Sequence, residues 1–245
     1  MIRIILVALF VVLFLILSIP VFFIEWIIGK FNPALRDISS LRIVQGAFRI
    51  VIWLSGVKVT VIGEENIPDC AVLFVGNHRS YYDIVLTYAR CRRLTGFIAK
   101  KEMLKIPLLS RCMKFLHCLF LDRSDIKEGL KTILAAIEKV KSGISIAIFP
   151  EGTRSTSASE LDMLPFHEGS FKIATKTGCP IIPVSISHSS AIFEDHMPFV
   201  KATHVVIEYG KPIYPKELSR EDQKFLGKRV QETILETLKR NASAV

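Results

Sequence analysis

With 245 residues, half of them hydrophobic, a mean hydropathy of +0.39 and a formal net charge of +9, the chain fits one catalytic domain with an appended membrane segment. Its five cysteines are odd in number and show no Cys-x-x-Cys spacing, which argues against a disulfide framework and suits a reducing compartment. No helix-turn-helix, zinc-finger or RNP-type pattern accompanies the basic charge, so the expected partner is an anionic membrane surface and not nucleic acid.

From Ile4 to Ile24 no charged residue occurs, a run of roughly 21 residues that is about long enough to cross a bilayer core. Glu25-Trp26 follows without a small-x-small cleavage site, so a retained anchor is expected and not a signal peptide. Pro20 leaves two geometries open, a span or a helical hairpin dipping into one leaflet. Lys30, Arg36, Arg42, Arg49 and Lys58 come behind it, which for a spanning segment puts the catalytic domain on the cytoplasmic face. Leu41–Val57 carries Arg42, Gln45 and Arg49 at helical spacing, as a helix packed on the domain or an interfacial helix would.

Strands are expected at Lys58–Ile62, Ala71–Val75, Gly96–Ala99, Ile144–Phe149, Ile181–Ile186 and Thr203–Tyr209; several are wholly apolar, as strands buried on both faces are. Helices are expected at Tyr81–Arg90, Asp125–Lys141, Ser170–Lys176 and, opened by the capping box Ser219-Arg220-Glu221-Asp222, to about Arg240. The alternation implies an α/β fold with a mostly parallel central sheet flanked by helices, preceded by an N-terminal membrane-associated helical segment. The expected division is a membrane anchor and interfacial helix over 1–56 and a catalytic domain over 57–245. His117-Cys118, an adjacent pair of possible metal ligands, sits in an apolar stretch and reads as core packing, and no metal is expected.

Two segments carry chemistry. His78 follows the run Ala71–Gly76 and so stands at the carboxyl end of a strand, where open α/β sheets bind ligands. Asp83 comes five residues later. On one helix the two would point about 140° apart, so they meet only with His78 in the loop and Asp83 in the next helix's first turn. The other reading of Asp83 there is a helix-capping residue beside a loop histidine. Further on, Pro150 ends a strand and Glu151-Gly152-Thr153-Arg154 forms a turn at the same sheet edge. Gly152 permits a tight backbone, and Arg154 offers a planar fork matched to a phosphate.

Asn77-His78-Arg79-Ser80-Tyr81-Tyr82-Asp83 together with Phe149-Pro150-Glu151-Gly152-Thr153-Arg154-Ser155 resembles the glycerolipid acyltransferases, specifically the lysophosphatidic acid (1-acyl-sn-glycerol-3-phosphate) acyltransferase family. Phe97–Pro107, Leu121-Asp122-Arg123 and Ile181–Ile186 are similar to its other blocks, so the resemblance covers roughly residues 70–190. It implies a catalytic pair in His78 and Asp83, and acceptor-phosphate binding by Lys100 and by the Glu151, Gly152, Thr153 and Arg154 turn. It also implies acyl transfer from acyl-ACP or acyl-CoA to a lysophospholipid hydroxyl, with no cofactor beyond that thioester donor. One departure stands out: where the family often has a lysine in Leu-Pro-Phe-Lys-x-Gly, this chain has Leu164-Pro165-Phe166-His167-Glu168-Gly169, which bears on headgroup specificity. An acyltransferase for another lyso-lipid, a membrane-bound lipid hydrolase and a non-catalytic lipid-binding protein are the alternatives. The hydrolase would need a serine nucleophile, and no Gly-x-Ser-x-Gly elbow is present.

Overall fold

The computed structural model describes residues 1–242, so the last three positions of the expected 57–245 unit lie outside the described residues. Two long helices open the chain, α1 (Ile2–Phe31) and α2 (Pro33–Ser55), each long and apolar enough to cross a membrane by length and composition. Pro20 does not break α1, which runs continuously through it. The chain reverses at Asn32 instead. Its side chain accepts the Leu35 N–H (3.0 Å) and Pro33 occupies the first turn of α2, where a missing N–H costs nothing.

The two helices run antiparallel, because a Cβ added at Gly56, just past α2, would lie 3.0 Å from Arg3 Nε at the start of α1. Helix α2 is packed on the domain. Leu41, Val44, Ala47 and Val51 are buried, and the polar stripe serves the end of the helix beneath it. Gln45 donates to the Tyr88 and Cys91 carbonyls (3.2 and 2.6 Å), at a helix C-terminus, where carbonyls run short of intrahelical partners. Ile5, Leu13, Leu17 and Phe23 on α1, and Ile50 and Trp53 on α2, stay exposed. That open apolar surface makes this a membrane-associated protein. The first apolar run also contributes to the domain core: Ile4, Val7 and Phe10 pack against the sheet-side core and Phe22 is buried in another cluster.

Seven strands form one sheet: β1 (Lys58–Ile62), β2 (Leu73–Gly76), β3 (Thr95–Lys100), β4 (Leu119–Leu121), β5 (Ser145–Ile148), β6 (Ile181–Ser187) and β7 (His204–Tyr209), in the order β1-β7-β6-β2-β5-β3-β4. Every neighbouring pair is parallel except β6 and β7, so β1 and β7 run against the other strands. Between them come α3 (Tyr82–Tyr88), α4 (Pro107–Phe115), α5 (Ile126–Lys141) and α6 (Lys172–Thr177), and α7 (Leu226–Asn241) follows β7. Alternate strand residues feed two cores. Leu73, Val75, Ile146 and Ile181 face α5, α6 and α7, while Val72, Ile182, Val184 and Ile186 face Tyr82 and Leu86 of α3 and Val51 of α2. Ile146 is fully buried among these. Ile146→Ala is expected to destabilise the domain by about 2–5 kcal/mol, read as a lower melting temperature with a proportionate loss of folded protein.

The capping box forms, with Ser219 Oγ donating to Asp222 and accepting the Asp222 N–H, but it opens a 3-10 turn and α7 proper starts at Leu226. His117 is not a metal ligand alongside Cys118. Its Nε2 meets Asp37 (2.7 Å) and its Nδ1 accepts from Lys139 (3.2 Å), and burial lowers its pKa.

Candidate active site

The carboxyl edge of β2, β5 and β3 carries the site. Strand β2 ends at Gly76, and Asn77 fixes the chain beyond it: its side chain both accepts the Ile186 N–H and donates to the Ile186 carbonyl (2.9 Å each). His78 follows in the loop. Its Nδ1 lies 2.8 Å from Asp83 Oδ2, and Asp83 is fully buried in the first turn of α3. The same Oδ2 accepts the N–H groups of Arg79 and Ser80, each at 2.8 Å. The two sequence readings of Asp83 therefore hold together, since one oxygen gathers the helix-start N–H groups and the imidazole. The geometry favours the tautomer with a proton on Nδ1, which leaves Nε2 as the basic nitrogen. The ring is stacked on Phe149, with centroids 4.3 Å apart and planes 15° from parallel.

The second loop is tied to the first. Glu151 Oε1 accepts the His78 N–H (2.7 Å), Glu151 Oε2 accepts the Leu164 N–H (2.9 Å), and the Ser155 N–H donates to the His78 carbonyl (2.8 Å). Burial raises the Glu151 pKa, against the lowering effect of those two N–H groups. With both oxygens accepting backbone N–H groups, Glu151 braces the two loops against each other. Gly152 has φ +75, a left-handed conformation that glycine adopts without strain, and a Cβ there would lie 3.2 Å from His167 Nε2. His167, the residue at the departing lysine position, thus sits directly against the turn. Thr153 is exposed beside it.

Arg154 lies over Tyr81, its guanidinium carbon 3.7 Å from the ring centroid, and Nη1 donates to Glu194 Oε1 at 2.9 Å. Lys100 ends β3 on the same sheet edge, two strands from β2, and is exposed. Among the described residues its ammonium makes no hydrogen bond or ion pair with the other candidates.

Beneath the site an apolar cavity of about 180 Å³ runs along the sheet. Its walls include Phe74, Phe97, Ala147 and Tyr209, and it reaches from the strand starts at Thr95 and Ser145 to Gly76 and Phe149. From Ser145 to Phe149 that is roughly 13 Å by the strand rise. The ring that stacks on His78 is therefore also the inner wall of the cavity. Arg79 donates from Nη2 and Nη1 to the Ser157 and Ser159 carbonyls (2.6 and 2.8 Å) and so pins the loop beyond Ser155.

Among the described residues, neither the buried thiols nearby nor Ser80 is poised as a competing nucleophile. Burial pushes the thiols of Cys91 and Cys112 up to about 12 and that of Cys118 to about 11, which keeps them protonated. Ser80, the serine nearest His78 in the chain, gives its hydroxyl proton to Glu194 (2.6 Å) and accepts the Tyr82 N–H.

The family model described as Acyltransferase matches residues 58–187, from β1 to the end of β6, and so includes both loops. The chain belongs to the acyltransferase family. Among relatives of this enzyme family, the 1-acyl-sn-glycerol-3-phosphate acyltransferase of Saccharomyces cerevisiae is 31% identical over 193 residues, 78% of this chain and 63% of its own length. The protein of the same name from Borreliella burgdorferi is 30% identical over 204 residues, 82% of this chain and 80% of its own. Among solved structures, the 1-acyl-sn-glycerophosphate acyltransferase PlsC of Thermotoga maritima superposes with a TM-score of 0.74 at 29% identity, covering 97% of both chains. The likeness to that acyltransferase thus takes in the helical hairpin as well as the sheet.

Phe149, Tyr81, Arg79 and Glu194 are the neighbours of the site that sequence reasoning did not single out. Phe149 and Arg79 lie inside the quoted motifs, so their presence was visible and their contacts were not. Glu194 lies after β6, outside every motif, and nothing in the sequence marked it.

Proposed function

We propose that this acyltransferase moves a fatty acyl group from a thioester, acyl-ACP or acyl-CoA, to the sn-2 hydroxyl of 1-acyl-glycerol-3-phosphate, giving phosphatidic acid for phospholipid biosynthesis. The observation that carries the reading is the buried Asp83 on His78 Nδ1, which leaves Nε2 to take a proton, with the Arg154 guanidinium held on the adjoining loop. The names of the yeast and Borreliella relatives supply the acceptor.

His78 Nε2 takes the hydroxyl proton as the oxygen attacks the thioester carbonyl. The new C–O bond forms, the C–S bond breaks, and the proton passes from the imidazolium to the departing thiolate. Asp83 stabilises the imidazolium while it exists and holds the ring's orientation. Arg154 takes the acceptor's phosphate and Lys100, on the same edge, adds charge to it, while Gly152 and Thr153 shape the turn beneath. The acyl chain occupies the apolar cavity, with Phe149 setting the reacting carbonyl next to His78. The chemistry needs no metal or cofactor besides the donor itself.

The hairpin lies in one leaflet in this reading. Helix α1 doubles back on α2 and α2 is packed on α3, so a crossing by α1 would drag part of the sheet domain into hydrocarbon. The basic domain then faces the anionic cytoplasmic leaflet. A membrane-bound hydrolase is disfavoured by the engagement of Ser80.

Arg154→Lys tests the acceptor assignment. Lysine keeps the charge and loses the fork, and a hydrogen bond to a charged group contributes about 1.5–3 kcal/mol, so the KM for 1-acyl-glycerol-3-phosphate is expected to rise roughly tenfold or more. An unchanged KM together with a lower melting temperature would make Arg154 structural.

A further inference from the structure

One carboxylate outside all the motifs joins the two loops. Glu194 follows β6 in a short 3-10 turn, on a base fixed by the fully buried Ile192 and the partly buried Phe193. Its Oε2 accepts the Ser80 hydroxyl at 2.6 Å, and its Oε1 accepts both the Tyr81 N–H at 2.8 Å and Arg154 Nη1 at 2.9 Å. The first two partners lie two and three residues past His78, and the third is the guanidinium on the other loop.

A salt bridge is a poor device for attracting an anion, because it cancels the charge that the anion would seek. Its value here is geometric. Arg154 has several N–H donors and a flexible stem, and a mobile guanidinium loses much of its advantage when it must order around a ligand. The pair with Glu194 occupies Nη1, and the Tyr81 ring, 3.7 Å from the guanidinium carbon, backs the group from one side. Among the described residues, Nε and Nη2 have no hydrogen-bond partner, so the Nε–Nη2 edge is the free fork. Ser80 and Tyr81 belong to the loop that carries His78, so the same carboxylate sets the separation between that fork and the base.

We propose that Glu194 is the positioning residue for acceptor-phosphate recognition: it spends Nη1 of Arg154, holds the guanidinium on Tyr81 with its Nε–Nη2 edge presented, and registers that edge to the His78 loop. This deepens the reading of Arg154 as the phosphate-binding residue and rests on it.

Two near-isosteric variants separate position from charge. Glu194→Gln keeps the length and an acceptor oxygen but loses the charge; Glu194→Asp keeps the charge and is shorter by one methylene. Purified full-length protein is assayed in detergent with 1-acyl-glycerol-3-phosphate and with 1-acylglycerol, which lacks the phosphate, alongside Arg154→Lys. For the phosphate-bearing acceptor, E194D is expected to raise KM about tenfold with kcat within about threefold of wild type, and E194Q to stay within about threefold in both. With 1-acylglycerol neither variant should differ from wild type. The proposal is overturned if E194Q is impaired as much as E194D, if E194D leaves KM unchanged, or if both acceptors are affected alike. Arg154→Lys reads the underlying assignment separately. If it changes KM for neither acceptor, Arg154 does not bind phosphate; if it raises KM while E194D does not, only the role given to Glu194 fails.

Discussion

Replacing His78 with alanine is expected to lower kcat by about 10²–10⁴-fold, the range that a positioned general base contributes, with the fold and the membrane association retained. The side chain is partly exposed, and its strong contacts are the Asp83 bond and the Phe149 stack, while the backbone bonds to Glu151 and Ser155 survive the substitution. Turnover near the wild-type rate would remove the base from the mechanism. A loss accompanied by a collapsed melting transition would trace instead to the loop.

Asp83→Asn should be nearly as damaging, on the order of 10³–10⁴-fold in kcat, by analogy with the carboxylate of a hydrolase triad. The amide oxygen can still accept the Arg79 and Ser80 N–H groups that Asp83 Oδ2 now holds, so the start of α3 should persist. What disappears is the negative charge facing the imidazolium. The readout that separates catalysis from capping is thermal stability measured beside rate. A large rate loss at a melting temperature within a few degrees of wild type supports the catalytic role. A rate unaffected at saturating substrate, with a lowered melting temperature, would reduce Asp83 to a cap.

The sheet was legible in the sequence wherever a strand was buried on both faces. Leu73, Val75, Ile146, Ile148, Ile181 and Ile182 sit in runs that are apolar but for a serine in two of them, because helices cover both sides of the central strands. Strand β4 was not legible: three half-buried residues at the sheet edge leave no alternation to read. Helix α4 was missed because Pro107 looked like the end of a motif, although proline is at home in a first helical turn. The hairpin was half legible. Periodicity gave α2 a polar stripe, but it could not say that Gln45 serves the end of α3, nor that the reversal comes at Asn32 and not at Pro20.

For the site, the spacing from His78 to Asp83 already demanded a loop followed by a helix start, because only that geometry lets the two side chains meet. The bracing shell was not readable, since each of its contacts joins residues far apart in the chain. Glu151 reaches back 73 positions to the His78 N–H, and Glu194 reaches 114 positions to Ser80. A lone acid in a loop carries no local signature of such a task. The cavity was hidden for a similar reason, being formed by residues from five strands and the loops around them.

The most direct test follows both halves of the reaction in one vessel: full-length protein in detergent, an acyl thioester, and 1-acyl-glycerol-3-phosphate, with thiol release and phosphatidic acid measured together. Thiol and phosphatidic acid should appear one for one, thiol release should fall to background without the acceptor, and both should fall together in His78→Ala. Thiol released without phosphatidic acid, at a rate independent of the acceptor, would mean a hydrolase and contradict direct transfer.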